Sequence, residues 1–224
     1  MNDQSPADAA CEPTVEPKLL PVLSTNLLRV SQDAHASLAL LDGNPILSTD
    51  ARCTMSGVIM CNVVAVNTVQ VMITLENLSD PRQPGYLTAF MFRIPRERGD
   101  VRISLVYSSR PGMSLITAGA SGAPFLGRWH GGAGTGGEWQ AGGTPTAGIT
   151  PGATGEWVFL VSGPKVCDLT AEELMSGGMI PDPFAFIVRF RGIGNGHSDK
   201  VPVLMPTSQI ARMAAMEEEV ESRR

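Results

Sequence analysis

Between Gly57 and Tyr107 apolar and polar residues alternate with a period of two, and Gly, Pro, Asn or Asp stands at the breaks. Side chains along a strand project to opposite sides in turn, so such a segment buries one face and wets the other. Val69, Val71, Ile73 and Leu75 share one face of a strand, while Gln70, Met72, Thr74 and Glu76 share the other. The same rhythm returns in Trp157, Phe159 and Val161, and in Phe184, Phe186, Val188 and Phe190. Several short half-buried strands bounded by turn residues predict an all-β fold, an antiparallel β-sandwich of jelly-roll or Ig-like type.

Along the chain, Leu38 to Leu41 read as a first short strand, closed by the turn Asp42-Gly43-Asn44-Pro45. The run from Val58 to Val66 barely alternates, as expected of a central strand covered on both faces. Asn67-Thr68 then turns the chain into the strand from Val69 to Glu76, Asn being tolerant of left-handed backbone. Pro81 and Pro84 donate no ladder hydrogen bond and end that strand. Two further strands follow, Tyr86 to Ile94 and Asp100 to Ser108, split by a polar turn. Residues 111–156 hold fourteen glycines among 46 residues, with Trp129, His130 and Trp139 embedded. They are expected to form a long Gly-rich insertion whose aromatics either cover one end of the sandwich or serve a ligand.

Thr170 followed by Glu173 is a capping box, so one short helix is expected near 170–176, stopped by Gly177-Gly178. Phe184 to Arg191 is the last strong strand, and Ser198 to Leu204 reads as an edge strand interrupted by Pro202. From Thr207 the chain becomes helical in character, with Ile210, Met213 and Val220 as a thin apolar stripe. The resulting division is a flexible N-terminal arm over 1–17, one sandwich domain over 18–205 carrying the Gly-rich insertion 111–156, and a helical tail over 206–224.

Composition narrows the function classes. Charged residues are only 17% of the chain, below the usual ~25%, and 24 Gly and 17 Pro fill the deficit. The net charge is -5 and basic residues are scattered, so no stripe exists to neutralise nucleic-acid phosphates. No apolar run approaches the ~20 residues of a membrane span. Met1 to Pro17 lacks the basic and apolar regions of a secretory leader; the chain as written is expected to be cytoplasmic, and a longer precursor would favour the cell surface. Cys11, Cys53, Cys61 and Cys167 match no Cys-x-x-Cys spacing. Buried free thiols are the expectation, with a Cys53–Cys61 bridge open if their segments pair across a turn.

No set of residues assembles a catalytic centre. Gly119-Ala120-Ser121-Gly122-Ala123 lacks the final Gly of a nucleophile elbow, and no helix follows Gly192-Ile193-Gly194-Asn195-Gly196 to meet an anion. The 22 carboxylates could supply a glycosidase pair, but nothing in the sequence selects one. No catalytic, cofactor-binding or metal-ligating residue is therefore assigned, and no cofactor is expected. Two sets remain. Trp129 and Trp139 could stack on sugar rings. Ser198 and Asp199 are expected to form a structural turn by accepting nearby backbone amides; a calcium-ligand role for Asp199 would need six or more oxygens.

The C-terminal third carries a further pattern. Gly148-Ile149-Thr150-Pro151-Gly152 precedes Gly155-Glu156-Trp157-Val158-Phe159 and Leu169-Thr170-Ala171-Glu172-Glu173. Phe186-Ile187-Val188-Arg189-Phe190-Arg191-Gly192 and Gly196-His197-Ser198-Asp199-Lys200-Val201 follow. These runs resemble the β-sandwich region of bacterial surface proteins sorted by exosortase, the PEP-CTERM group. The resemblance spans about residues 55–203 and is most specific in its last part. It implies a matrix, surface or assembly role and carries no catalytic residues. The secretion signal, Pro-Glu-Pro motif and apolar anchor of that group have no counterpart in these 224 residues. The expected function is accordingly that of a non-enzymatic structural or assembly protein acting by self-association or surface docking, with a second copy or another protein as partner. The alternative is a carbohydrate-binding module or glycoside-active enzyme that meets a polysaccharide through Trp129 and Trp139.

Overall fold

The computed structural model describes residues 36–43, 52–82, 85–117, 129–140, 143–176 and 184–204. The expected N-terminal arm and C-terminal helix lie outside these residues. The described strands are β1 (Ala36–Gly43), β2 (Met55–Ala65), β3 (Thr68–Asn77), β4 (Tyr86–Phe92), β5 (Arg102–Ser108), β6 (Met113–Thr117), β7 (Gly131–Thr135), β8 (Thr154–Ser162), β9 (Phe186–Ile193) and β10 (His197–Leu204). The one described α-helix is α1 (Ala171–Ser176).

Neighbouring strands are antiparallel throughout, in the order β5-β8-β3-β2-β1-β10-β9-β4-β7-β6. β1 and β10 share only the pairs Asp42 with Leu204 and Gly43 with Val203. At that seam the ladder folds into two leaves of five strands, β5-β8-β3-β2-β1 and β10-β9-β4-β7-β6, which face each other as the antiparallel sandwich that the alternation predicts.

Register builds the core row by row. Ala39, Ile59, Ile73 and Trp157 stand opposite one another across the first leaf, and Cys61, Val71, Phe159 and Leu105 form the next inward row. From the second leaf Phe90, Phe92, Phe186, Val188 and Phe190 project into the same core. Phe90 is the interlock: its ring meets Trp157 edge-on at 4.7 Å, stacks on Phe186 at 5.6 Å and reaches Phe159 at 6.1 Å. Phe92 meets Phe159 at 5.2 Å. Edge-to-face and offset contacts of this kind add about 0.5–1.5 kcal/mol each to the area they bury.

The β2–β3 hairpin turns through Val66-Asn67, and Asn67 takes the left-handed conformation with φ 57°. The capping box at α1 forms reciprocally: the Thr170 hydroxyl accepts the Glu173 amide at 3.2 Å, and the Glu173 carboxylate accepts the Thr170 amide at 2.9 Å. Three sequence-based expectations change. Residues 111–156 hold two strands, β6 and β7, because glycine can form a ladder where neighbouring backbone comes too close for a side chain. A methyl group at Gly132 would be driven into the Phe90 carbonyl oxygen. β10 is not an edge strand: it pairs along β9 and closes the seam with β1. β2 is covered on its inner face only, a point with consequences for function.

Replacing Phe90 by Ala removes the ring that three aromatics from both leaves enclose. The expected loss is about 3–5 kcal/mol of unfolding free energy, read from urea denaturation. Phe90→Leu should lose clearly less.

Candidate functional site

The two leaves treat their outer faces differently. On the first leaf one outward row runs across all five strands as Leu38, Met60, Met72, Val158 and Tyr107. The flanking rows add Leu40 and Val58 on one side and Leu160 on the other. Leu38 is 42% exposed and Leu40 53%, Val58, Met60, Met72, Tyr107 and Leu160 are half-buried, and Val158 is buried. The apolar run of β2 thus reflects an inner face packed in the core and an outer face that is apolar yet uncovered. At the edge of this leaf β5 carries a bulge between Leu105 and Tyr107, which leaves Val106 53% exposed. A bulge and the exposed Arg102 blunt that edge against pairing with another chain.

On the second leaf the outer face is roofed by the Gly-rich connection. Ala89, Met91, Ile116 and Ile187 form a small cluster with Trp129 and Trp139. The indoles are 3% and 2% exposed, so neither offers an open ring face for a sugar to stack on. They pack on the outer face of this leaf rather than over an open end of the sandwich, the place expected for them if they served no ligand. The roof lies low because β7 contributes Gly132 and Gly134 beneath it; a methyl at Gly134 would press on Ile116 and the Glu138 carbonyl. The Arg93 guanidinium sits 4.3 Å above the Trp129 ring, a cation–π contact. Arg189 donates through Nη1 to the Trp139 carbonyl, and Arg191 through Nη1 to the Gly143 carbonyl at 3.3 Å. Burial, and then the neighbouring charge of Arg191, lower the proton affinity of Arg189 below that of an ordinary arginine.

Asp199 accepts one nearby backbone amide and two that are distant in sequence. Its buried carboxylate takes the amides of Cys53 at 3.3 Å and Arg52 at 3.4 Å, besides the adjacent Lys200 at 2.8 Å. It ties β10 to the segment that opens β2, some 146 residues away in sequence. Ser198 is half-buried in β10, in register with Arg191. No cluster of three or more His, Cys, Asp or Glu side chains able to hold a metal occurs among the described residues.

Two polar anchors escaped the sequence reading. Asn77 is buried and donates to the Gly85 carbonyl at 2.7 Å and the Ile149 carbonyl at 2.8 Å, while its oxygen accepts the Ser79 amide at 3.0 Å. Arg98, on the turn after β4, forms ion pairs with Asp168 and Glu173 and so clasps the start of α1. Burial opposes its charge, yet hydrogen bonds and attraction from Glu173 and Asp168 prevail and raise its proton affinity. Cys53 and Cys61 are buried and outside any disulfide, as expected; Cys167, by contrast, is disulfide-bonded. Burial pushes the Cys61 thiol far up, helped by the charges of Glu172 and Glu173 and opposed by the Ser37 hydroxyl.

Two measurements follow from these anchors. Asp199→Ala leaves the Arg52 and Cys53 amides without their acceptor and should cost about 1–3 kcal/mol in urea denaturation. Its melting temperature, like that of the parent, should be indifferent to calcium and chelator; a calcium response lost in the variant would make Asp199 a ligand instead. Cys61 stays protonated where an unfolded thiol ionises, near about pH 8.5. Above that pH the unfolded chain sheds a proton that the folded chain keeps. Stability from this group is therefore intact below that pH and falls by about 1.4 kcal/mol per unit above it. Cys61→Ala should remove this part of the alkaline slope, and an unchanged slope would show that the thiol ionises in place.

Searches against known proteins give little beyond architecture. No protein-family model matches the chain, and no curated protein matches it. Among solved structures, it is similar to a biomass-sensing module of an RsgI-like protein of Clostridium thermocellum, described as resembling the family 3 carbohydrate-binding module of the cellulosome. That overlap has 13% identity and a TM-score of 0.34, over 68% of this chain and 91% of the other. A CBM3 module of Hungateiclostridium clariflavum overlaps at 11% identity and TM-score 0.31, over 69% and 92%. A second sensing module, from the RsgI2 protein of Clostridium thermocellum, gives 12% and 0.31, over 68% and 90%. Overlap at this level assigns neither a family nor a ligand.

Proposed function

We propose that this chain is a non-catalytic structural or assembly protein that pairs with a second copy of itself through the outer face of the β5-β8-β3-β2-β1 leaf. The observation that carries this reading is the outward apolar row Leu38, Met60, Met72, Val158 and Tyr107, open at Leu38, half-buried at Met60, Met72 and Tyr107 and closed at Val158, with Leu40 about half exposed beside it. A sheet face built of Leu, Met and Val gains free energy by leaving water, and monomers rarely keep such a patch open. Five strands span about 20 Å and an eight-residue strand about 25 Å, a footprint of about 500 Å², smaller than the ~800 Å² per partner of a standard interface and in keeping with a weak, concentration-dependent pairing. Face-to-face pairing is favoured over edge addition because β5 is bulged and carries Arg102. The resemblance of the Phe186 to Val201 region to exosortase-sorted surface proteins is consistent with a matrix or surface setting.

The carbohydrate-binding alternative needs Trp129 and Trp139 to leave the interior before either can stack on a sugar. Their burial supports the packing role. In that case Trp→Ala variants lose stability before they lose any binding.

Sedimentation equilibrium tests the proposal. The parent chain should associate, and Leu38→Lys with Met60→Lys should return it to monomer with little change in melting temperature. A strict monomer at about 1 mM, where even an interface worth only ~4 kcal/mol is populated, would overturn it. A monomer that co-pellets with an insoluble polysaccharide would favour the alternative instead.

A further inference from the structure

Methionine is an uncommon choice for the middle of a strand, where β-branched and aromatic side chains fit the pleat better. Yet β2 and β3 each place one on the outer face of the first leaf, directly opposite each other as the pair Met60–Met72. Side chains paired in this way have Cβ atoms about 5 Å apart. Leu38 flanks the pair on β1 and Val158 on β8, so the two methionines sit inside the outward apolar row. Their exposure sets them apart from the other described methionines. Met55, Met91, Met113 and Met175 are sealed in the interior, at 2% exposure or less, whereas Met60 and Met72 are half-buried.

Sulfur chemistry gives that exposure a meaning. A thioether takes an oxygen atom from a peroxide: its sulfur attacks one peroxide oxygen and the O–O bond breaks. That oxygen stays on sulfur, which loses two electrons, and the other leaves as water with both hydrogens. Competing sulfurs are out of reach or already oxidised among the described residues. Cys53 and Cys61 are each 1% exposed, and Cys167 is disulfide-bonded. The product is a sulfoxide, a polar group that accepts hydrogen bonds. On a free leaf its oxygen faces water. Against a second copy it meets Leu38, Val158 and their counterparts, which have no donor to offer. The acceptor then stays unpaired, and the associated form alone is destabilised.

We propose that Met60 and Met72 form a peroxide-sensitive modification site whose conversion to sulfoxides switches the first leaf from self-associating to solvated. The switch rests on the pairing proposed above; the order in which the methionines oxidise does not. The monomer is the reactive form, because pairing withdraws both sulfurs from solvent. Oxidation therefore traps the monomer as it forms, and dilution speeds it. Both side chains lie outside the core that Phe90 interlocks, so the fold survives the change. Sulfoxide reductases return the thioether, which makes the modification reversible.

The test treats the full chain with hydrogen peroxide under native conditions and quenches it at intervals. Sulfoxide is located by peptide mass spectrometry, and the same samples go to sedimentation equilibrium. Met60 and Met72 should oxidise at least about tenfold faster than Met55, Met91, Met113 and Met175, which react only through local opening. The dissociation constant of the pair should rise at least about tenfold, the effect of burying an acceptor without a donor. Met60→Leu with Met72→Leu keeps the apolar face and every other methionine, and should associate equally before and after peroxide. Met60→Gln with Met72→Gln places a carbonyl where the sulfoxide forms, and should dissociate with no peroxide at all. Equal oxidation rates across these methionines would overturn the site. Oxidation at Met60 and Met72 that leaves association intact, or a Leu variant that peroxide dissociates as readily as the parent, would overturn the switch. A parent that is monomeric before peroxide overturns the pairing and the switch together, while the peptide map still decides the site. Should the Gln variant fold poorly, the Leu variant alone decides the question.

Discussion

The sandwich depends on the packing of Phe90 between Trp157, Phe159 and Phe186. Hydrogen bonding alone would not keep the two leaves together, because among the described residues the backbone ladder crosses between them only at Asp42–Leu204 and Gly43–Val203. A non-directional force must hold what the directional one leaves free, and the burial of aromatic area supplies it. Directional contacts then fix how the leaves are oriented. Asp199 ties β10 to the start of β2, and Asn77 ties the end of β3 to Gly85 and Ile149. Arg98 fastens α1 against the turn after β4.

Each five-stranded leaf has an inner face committed to the core, and each must dispose of its outer face. The second leaf does so within the chain, by roofing itself with Trp129, Trp139 and the segment around Gly143. The first leaf keeps an apolar ribbon on the outside. The two sides of the molecule therefore differ in what they present to solvent.

Local rules carry most of what the sequence reveals. Period-two alternation places Val69, Val71, Ile73 and Leu75 in the core, left-handed tolerance places Asn67 at a hairpin, and the Thr170–Glu173 spacing places a helix start. Where the reading stops short, the cause is long range. Nothing local marks β7 as a strand, since its glycines answer to residues distant in sequence: Gly132 to the Phe90 backbone on β4, Gly131 to Ile103 and Gly134 to Ile116. The partners of Asp199 and Asn77 lie 146 and 72 residues away. Trp129 and Trp139 have the same composition signature whether they stack on sugars or pack a roof; only the outer face beneath them decides. The run from Val58 to Val66 is similarly ambiguous, because an uncovered apolar face and a covered one are written with the same residues.

The glycines of β7 also bear on how this protein can change over generations. At most core positions a substitution is judged by its polarity, and a neighbouring side chain can yield to a modest change in volume. At Gly132 the obstacle is the backbone of β4 itself, which has no rotamer to give. A map of tolerated replacements would thus hold a narrow band of refusal at residue 132, indifferent to chemistry and set wholly by the absence of space. Drift there is confined by geometry, while Leu38 and Leu40, about half exposed on the outside of the first leaf, meet no such limit.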